Sequence, residues 1–205
     1  VLLLSGRPGG GYGWIGGWHT RESSVIGVAA DDTNNDGVND LVLGMDTSLG
    51  TQVQVLIGTG MGRFDAGPRL SLSYSVNSLV GNLRDGTFAV TVVNTDAGVL
   101  HTFRLFDSGW ETEDSTDSGP AVKRGTRLLA SADVNNQEDK ELILMGPVDD
   151  DAQSLTIVDL GASHDSVPTM YPLSFGPFHA TIADVDGSGG VEILVVEDEI
   201  MHTIT

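Results

Sequence analysis

The amino-acid sequence predicts an all-β repeat fold, and three observations predict it. A motif recurs at even spacing, the apolar runs are short and β-branched, and Asp and Gly are in excess over the acids that favour helices. The chain has 205 residues, 27 of them Gly, and its 29 acidic residues divide into 21 Asp and 8 Glu. Asp and Gly are poor in helix interiors and good in turns, so the acid belongs at fixed corners between buried segments. A hydrophobic content of 40% is too high for a disordered acidic tail, and this length can bury a sizeable core.

An apolar run, an Asp or Asn, a polar loop and a second apolar run recur four times, with the loops beginning at Asp32, Asn82, Asp133 and Asp184. The starts lie 50, 51 and 51 residues apart, a regularity that unrelated turns rarely keep. The first unit offers strands at Ser24–Ala29, Asp40–Gly44 and Gln52–Gly58, and the third at Leu142–Met145 and Leu155–Leu160. None shows a sustained 3.6-residue apolar period. Gly58–Gly62 and Asp107–Gly109 read as turns, where glycine accepts positive φ. About four short strands per ~51-residue unit fit the four-stranded blade of a β-propeller. The expectation is one segment over residues 1–205 with about four blades; a β-sandwich is the plainer alternative but needs no equal spacing. Val1–Ser5 and Met201–Thr205 both align with Gln52–Ile57. That duplication favours an arc of a larger ring over a self-contained small one.

The loops carry the chemistry. DTNNDGVND places oxygen-bearing side chains at its first, third, fifth and ninth positions, Asp32, Asn34, Asp36 and Asp40. Gly37 permits a sharp turn, after which the Val38 carbonyl can join them. Ca²⁺ takes six to eight oxygens at about 2.3–2.6 Å, and this spacing supplies them from one loop. Without a cation, two carboxylates ~4 Å apart repel by about 1 to 4 kcal/mol. DVDGSGGVE repeats the design with Asp184, Asp186, Ser188, the Gly190 carbonyl and Glu192. An EF-hand would need a bidentate Glu at its twelfth position, but Leu43 and Val195 stand there. DVNNQEDKE keeps Asp133, Asn135 and Glu141 as a third, incomplete candidate, with Gln137 at the fifth position, Glu138 in place of glycine and Lys140 alongside. At Asn82–Thr87 the loop is shortened, Arg84 takes a ligand position and no carboxylate closes it, so no metal is expected there.

These residues resemble the FG-GAP or VCBS repeat family, known from integrin α-subunit heads and from secreted or surface proteins of microbes. The likeness rests on DTNNDGVNDLVLG, on DVDGSGGVEILVV and on the turn Gly60-Met61-Gly62-Arg63-Phe64-Asp65-Ala66-Gly67-Pro68. It implies a propeller, most often of seven blades, with Ca²⁺ held between the first two strands of a blade. It also implies a scaffold for adhesion.

Other signals weigh less. A net charge of −19 argues against nucleic acid and anionic membrane surfaces. No apolar stretch approaches the roughly 18 residues of a spanning helix, so no direct membrane insertion is expected. The absence of Cys removes disulfides, thiolate catalysis and zinc-thiolate sites. Gly11–Gly16 fits G-x-G-x-x-G, but no helical period follows it, and an inter-strand turn is the expectation. Tyr12, Trp14 and Trp18 cluster, the Trp residues reading as packing between blades, with a sugar- or partner-stacking role as the rival. Asp149–Asp151 reads as a solvated connection. The five His are scattered without zinc spacing, and no nucleophile elbow occurs. The functional expectation is a non-enzymatic, calcium-stabilised scaffold, extracellular or at the cell surface, that binds a protein or glycan beside the remaining blades or other domains of a longer chain. The alternatives are a polysaccharide lyase, with Arg104, Lys123, Arg124 and Arg127 as its few candidate bases, and a surface-layer or filament component.

Overall fold

A computed structural model describes residues 2–6, 12–17, 24–84, 86–94, 96–112, 122–135, 140–147, 153–159, 169–173, 179–187, 190–197 and 200–204. All regular structure among them is β. Sheet I pairs β1 (Leu2–Gly6) with β2 (Tyr12–Gly17). Sheet II comprises β3 (Ser24–Asp31), β4 (Asp40–Thr47), β5 (Gly50–Gly60) and β6 (Arg63–Leu72). Sheet III comprises β7 (Val76–Arg84), β8 (Thr87–Asn94), β9 (Val99–Phe106) and β10 (Gly109–Thr112). Sheet IV comprises β11 (Arg127–Ala132), β12 (Glu141–Pro147), β13 (Gln153–Asp159) and β14 (Thr169–Leu173). Sheet V comprises β15 (His179–Ala183), β16 (Glu192–Glu197) and β17 (Ile200–Ile204).

Each sheet is an antiparallel meander in sequence order. The first strands of sheets II to V begin at Ser24, Val76, Arg127 and His179, 51 or 52 residues apart, so the sequence period is a structural one. Every strand placed from the sequence is present, most of them longer at their ends. The sheets remain open among the described residues and do not close on one another into a ring. Residues Tyr12–Gly17 of the glycine-rich motif form strand β2, neither a helix nor the expected turn.

The second strands of the sheets are the most deeply buried. In β8, Phe88 to Asn94 are all buried, the pattern of a strand covered by layers on either side. One cluster joins sheets II and III through Val42, Val53, Val55, Leu79, Phe88 and Val90. A second joins III and IV through Val80, Val93, Leu128, Leu142 and Leu144, and a third joins IV and V through Ile143, Leu155, Ile193 and Val195. The first strands sit side by side, β3 with β7, β7 with β11, and β11 with β15. The Ser78 hydroxyl accepts from Leu128 N at 2.8 Å, and Asn77 Nδ2 donates to the Thr126 carbonyl at 2.8 Å, tying β7 to the β11 segment. Leu79 packs over Gly44 so closely that a Cβ there would lie 2.0 Å from Leu79 Cδ2. Glycine is therefore a shape requirement of this junction.

Antiparallel order puts the described residues that follow the first strands, 32–39, 133–135 and 184–187, at the same end of their sheets, where the second strands begin. The candidate site lies on these segments.

Candidate metal centre

The segment 184–192 brings three carboxylates together. Ligand atoms of Asp184, Asp186 and Glu192 lie within 4.8 Å of one another, the one such group of His, Asp and Glu found among the described residues. Glu192 is 5% exposed at the start of β16, and the two Asp are exposed. Local hydrogen bonds aim them. Gly187 N donates to Asp184 Oδ1 at 2.6 Å, and Val185 N donates to Glu192 Oε2 at 2.8 Å. Gly187 takes φ +73°, which bends the chain around the group. Each pair of charges at ~4.8 Å repels by roughly 1 kcal/mol even at the dielectric of water. A hard divalent cation removes that repulsion, and an all-oxygen donor set fits such an ion. Gly190 is described with the segment, whereas Ser188 lies outside the described residues.

The segment 32–40 has the same plan and a denser internal network. Asp32 accepts from Asp36 N at 3.0 Å and Gly37 N at 2.8 Å, one bond on each oxygen. Asp36 accepts from Val38 N at 2.8 Å and Asn34 Nδ2 at 2.9 Å, and Asn34 Oδ1 accepts from Asp36 N at 3.0 Å. Asp32, Asn34 and Asp36 are thus brought together, and Asn35 and Gly37 take φ +59° and +85° to allow it. Asp40 has other partners. It is fully buried, its Oδ2 accepts from Thr33 N at 3.0 Å and from the Thr33 hydroxyl, and its Oδ1 accepts from Gly58 N at 2.7 Å. Asp40 therefore fastens the loop to β5.

In 133–141, Glu141 is 1% exposed. Its Oε2 accepts from Val134 N at 2.8 Å and its Oε1 from Asn135 Nδ2 at 2.7 Å. Burial, the largest influence, pushes the Glu141 pKa up; the Asp133 and Asp159 charges push the same way, and the Val134 N–H opposes them. Gln137 and Glu138 lie outside the described residues. At the second repeat the expected loop at Asn82 is replaced by strand, because β7 continues through Arg84 and pairs it with Thr87 across a two-residue turn. Asp-Gly favours that hairpin, and Gly86 takes φ +72°.

Two features escaped the sequence reading. One is the bond from the second-position N–H to the ninth-position carboxylate, made by Thr33, Val134 and Val185 alike. Its only sequence signal is the return of Asp or Glu at the ninth position with burial of the strand that it opens. The other is the left-handed fourth position, Asn35 and Gly187, legible because Asn and Gly tolerate that backbone. Trp18 and Asp149–Asp151 lie outside the described residues. No helix among the described residues is long and apolar enough to cross a membrane. No known protein family and no curated protein matches the chain.

Proposed function

We propose that the chain is an arc of a calcium-stapled β-propeller of the FG-GAP kind, serving as an extracellular or cell-surface scaffold that presents its loops to a protein or glycan. The convergence of Asp184, Asp186 and Glu192 carries the reading. Supporting it are the evenly spaced four-stranded meanders and the adjacency of their first strands, the arrangement expected of blades around an axis. Ca²⁺ is assigned to 184–192 and, through Asp32, Asn34, Asp36 and the Val38 carbonyl with Asp40 behind them, to 32–40. Its part is structural: it neutralises carboxylates and fixes the corner between two strands.

Extracellular calcium modules bind with Kd of about 10⁻⁴ to 10⁻³ M. At tenfold excess over Kd, one site adds about 1.4 kcal/mol to stability, or roughly 3 to 6 °C in Tm for a domain of this size. Calcium titration by calorimetry, with melting in calcium and in chelator, tests the reading. Asp184→Ala and Asp36→Ala should each remove one bound ion and lower Tm in calcium. Superimposable melting curves in calcium and chelator would refute it. Incubation with polysaccharides separates the roles: binding without chain cleavage supports the scaffold, and cleavage supports a lyase.

A further inference from the structure

We infer that the segment 133–141 is closed by an amide where 184–192 is built for a cation, so that Asn135 does in sheet IV what a bound ion does in sheet V. The inference rests on the cation reading of 184–192. In both segments the ninth-position carboxylate is buried, Glu141 at 1% and Glu192 at 5% exposure. In both, one oxygen accepts from the second-position backbone N–H at 2.8 Å. A buried carboxylate left with a bare oxygen is costly, so the second oxygen decides how each corner is closed.

Of the differences between the two segments, the third position bears on that second oxygen, and what matters there is where the amide goes: in 32–40 the third-position Asn34 turns its Nδ2 to Asp36 and not to the ninth-position carboxylate. The third position is Asp186 in sheet V and Asn135 in sheet IV. Asp186 can only accept, so it joins Asp184 and Glu192 as a third negative group. Asn135 carries donors, and its Nδ2 reaches Glu141 Oε1 at 2.7 Å. Only the NH₂ end of an amide is attracted to a carboxylate, which fixes its orientation. Both Glu141 oxygens are thereby engaged by protein donors. Lys140, exposed and next to Glu141 in sequence, adds a positive charge to the segment.

The test uses the full chain, Ca²⁺ alone as the probe, and the variants Asn135→Ala and Asp133→Asn. Asn135→Ala should lower Tm by about 3 to 12 °C, equally in chelator and in millimolar calcium. The number of ions bound per chain should equal that of the wild type in both variants. Loss of one ion in either variant overturns the inference, as does Asn135→Ala melting like the wild type in chelator. Should Asn135→Ala not fold, the Asp133→Asn stoichiometry decides alone. A wild type that binds no calcium at all would remove the proposed function, while the chelator melts would still judge the amide.

Discussion

Gly44→Ala probes the way successive sheets lock together. The added Cβ would stand 2.0 Å from Leu79 Cδ2, 3.1 Å from Ile26 Cγ1 and 3.3 Å from Leu79 Cγ, where carbon contacts settle near 3.5–4.0 Å. Leu79 is 7% exposed and packed among Val42, Val90 and Phe88, and Gly27 offers it no room, since a Cβ there would lie 2.9 Å from Leu79 Cγ. Overpacking of this kind costs about 1–3 kcal/mol, which for a domain of this size lowers Tm by roughly 2–12 °C. The assay is thermal and denaturant unfolding of Gly44→Ala, Leu79→Ala and the double variant. Leu79→Ala alone should cost about 2–5 kcal/mol by leaving a cavity. In that background the Gly44→Ala penalty should vanish, because the atoms that it strikes are gone, giving a coupling of about 0.5–3 kcal/mol. Gly44→Ala melting like the wild type, or penalties that simply add, would refute the account of this junction.

Asp40→Ala removes the acceptor for two buried backbone donors, Thr33 N and Gly58 N, and should cost about 2–6 kcal/mol at 1–3 for each stranded group; chelator melts, compared with those of Asp36→Ala, check whether the loss persists without calcium. The Tyr74 hydroxyl is pushed up to about 12 by burial, beside the His101 ring 5.3 Å away. Because the folded state keeps the proton more tightly, the stability that this provides is complete below the ordinary tyrosine value near 10 and is lost as pH rises through about 12. Ultraviolet titration should show one late-ionising tyrosine that Tyr74→Phe abolishes; three tyrosines ionising together near 10 would contradict it.

Much of the fold was legible because a strand buried on both faces is largely apolar, as Leu142–Leu144 is, and because Asp and Gly mark the corners between such runs. The repeat period reported the meander before any pairing was known. What composition could not show was direction. Asp40 and Asp36 are the same residue four positions apart, yet one turns into the sheet to hold Gly58 N and the other stays in the loop. Thr33 and the backbone of β5, eighteen residues on, make the difference. Asn135 presents the same problem, since an amide can offer oxygen to a cation or NH₂ to a carboxylate, and the burial of Glu141 selects the second. The segment at Asn82 reads as a loop because its polar residues suggest an interruption, whereas Asn82, Leu83 and Arg84 all pair in the strand.

A crystal structure grown in millimolar calcium tests the central claim most directly. An ion should appear at 184–192 with oxygens of Asp184, Asp186 and Glu192 at about 2.3–2.6 Å, and chelation of the crystals should remove it. Density with no ion there and the three carboxylates splayed toward solvent would contradict the claim.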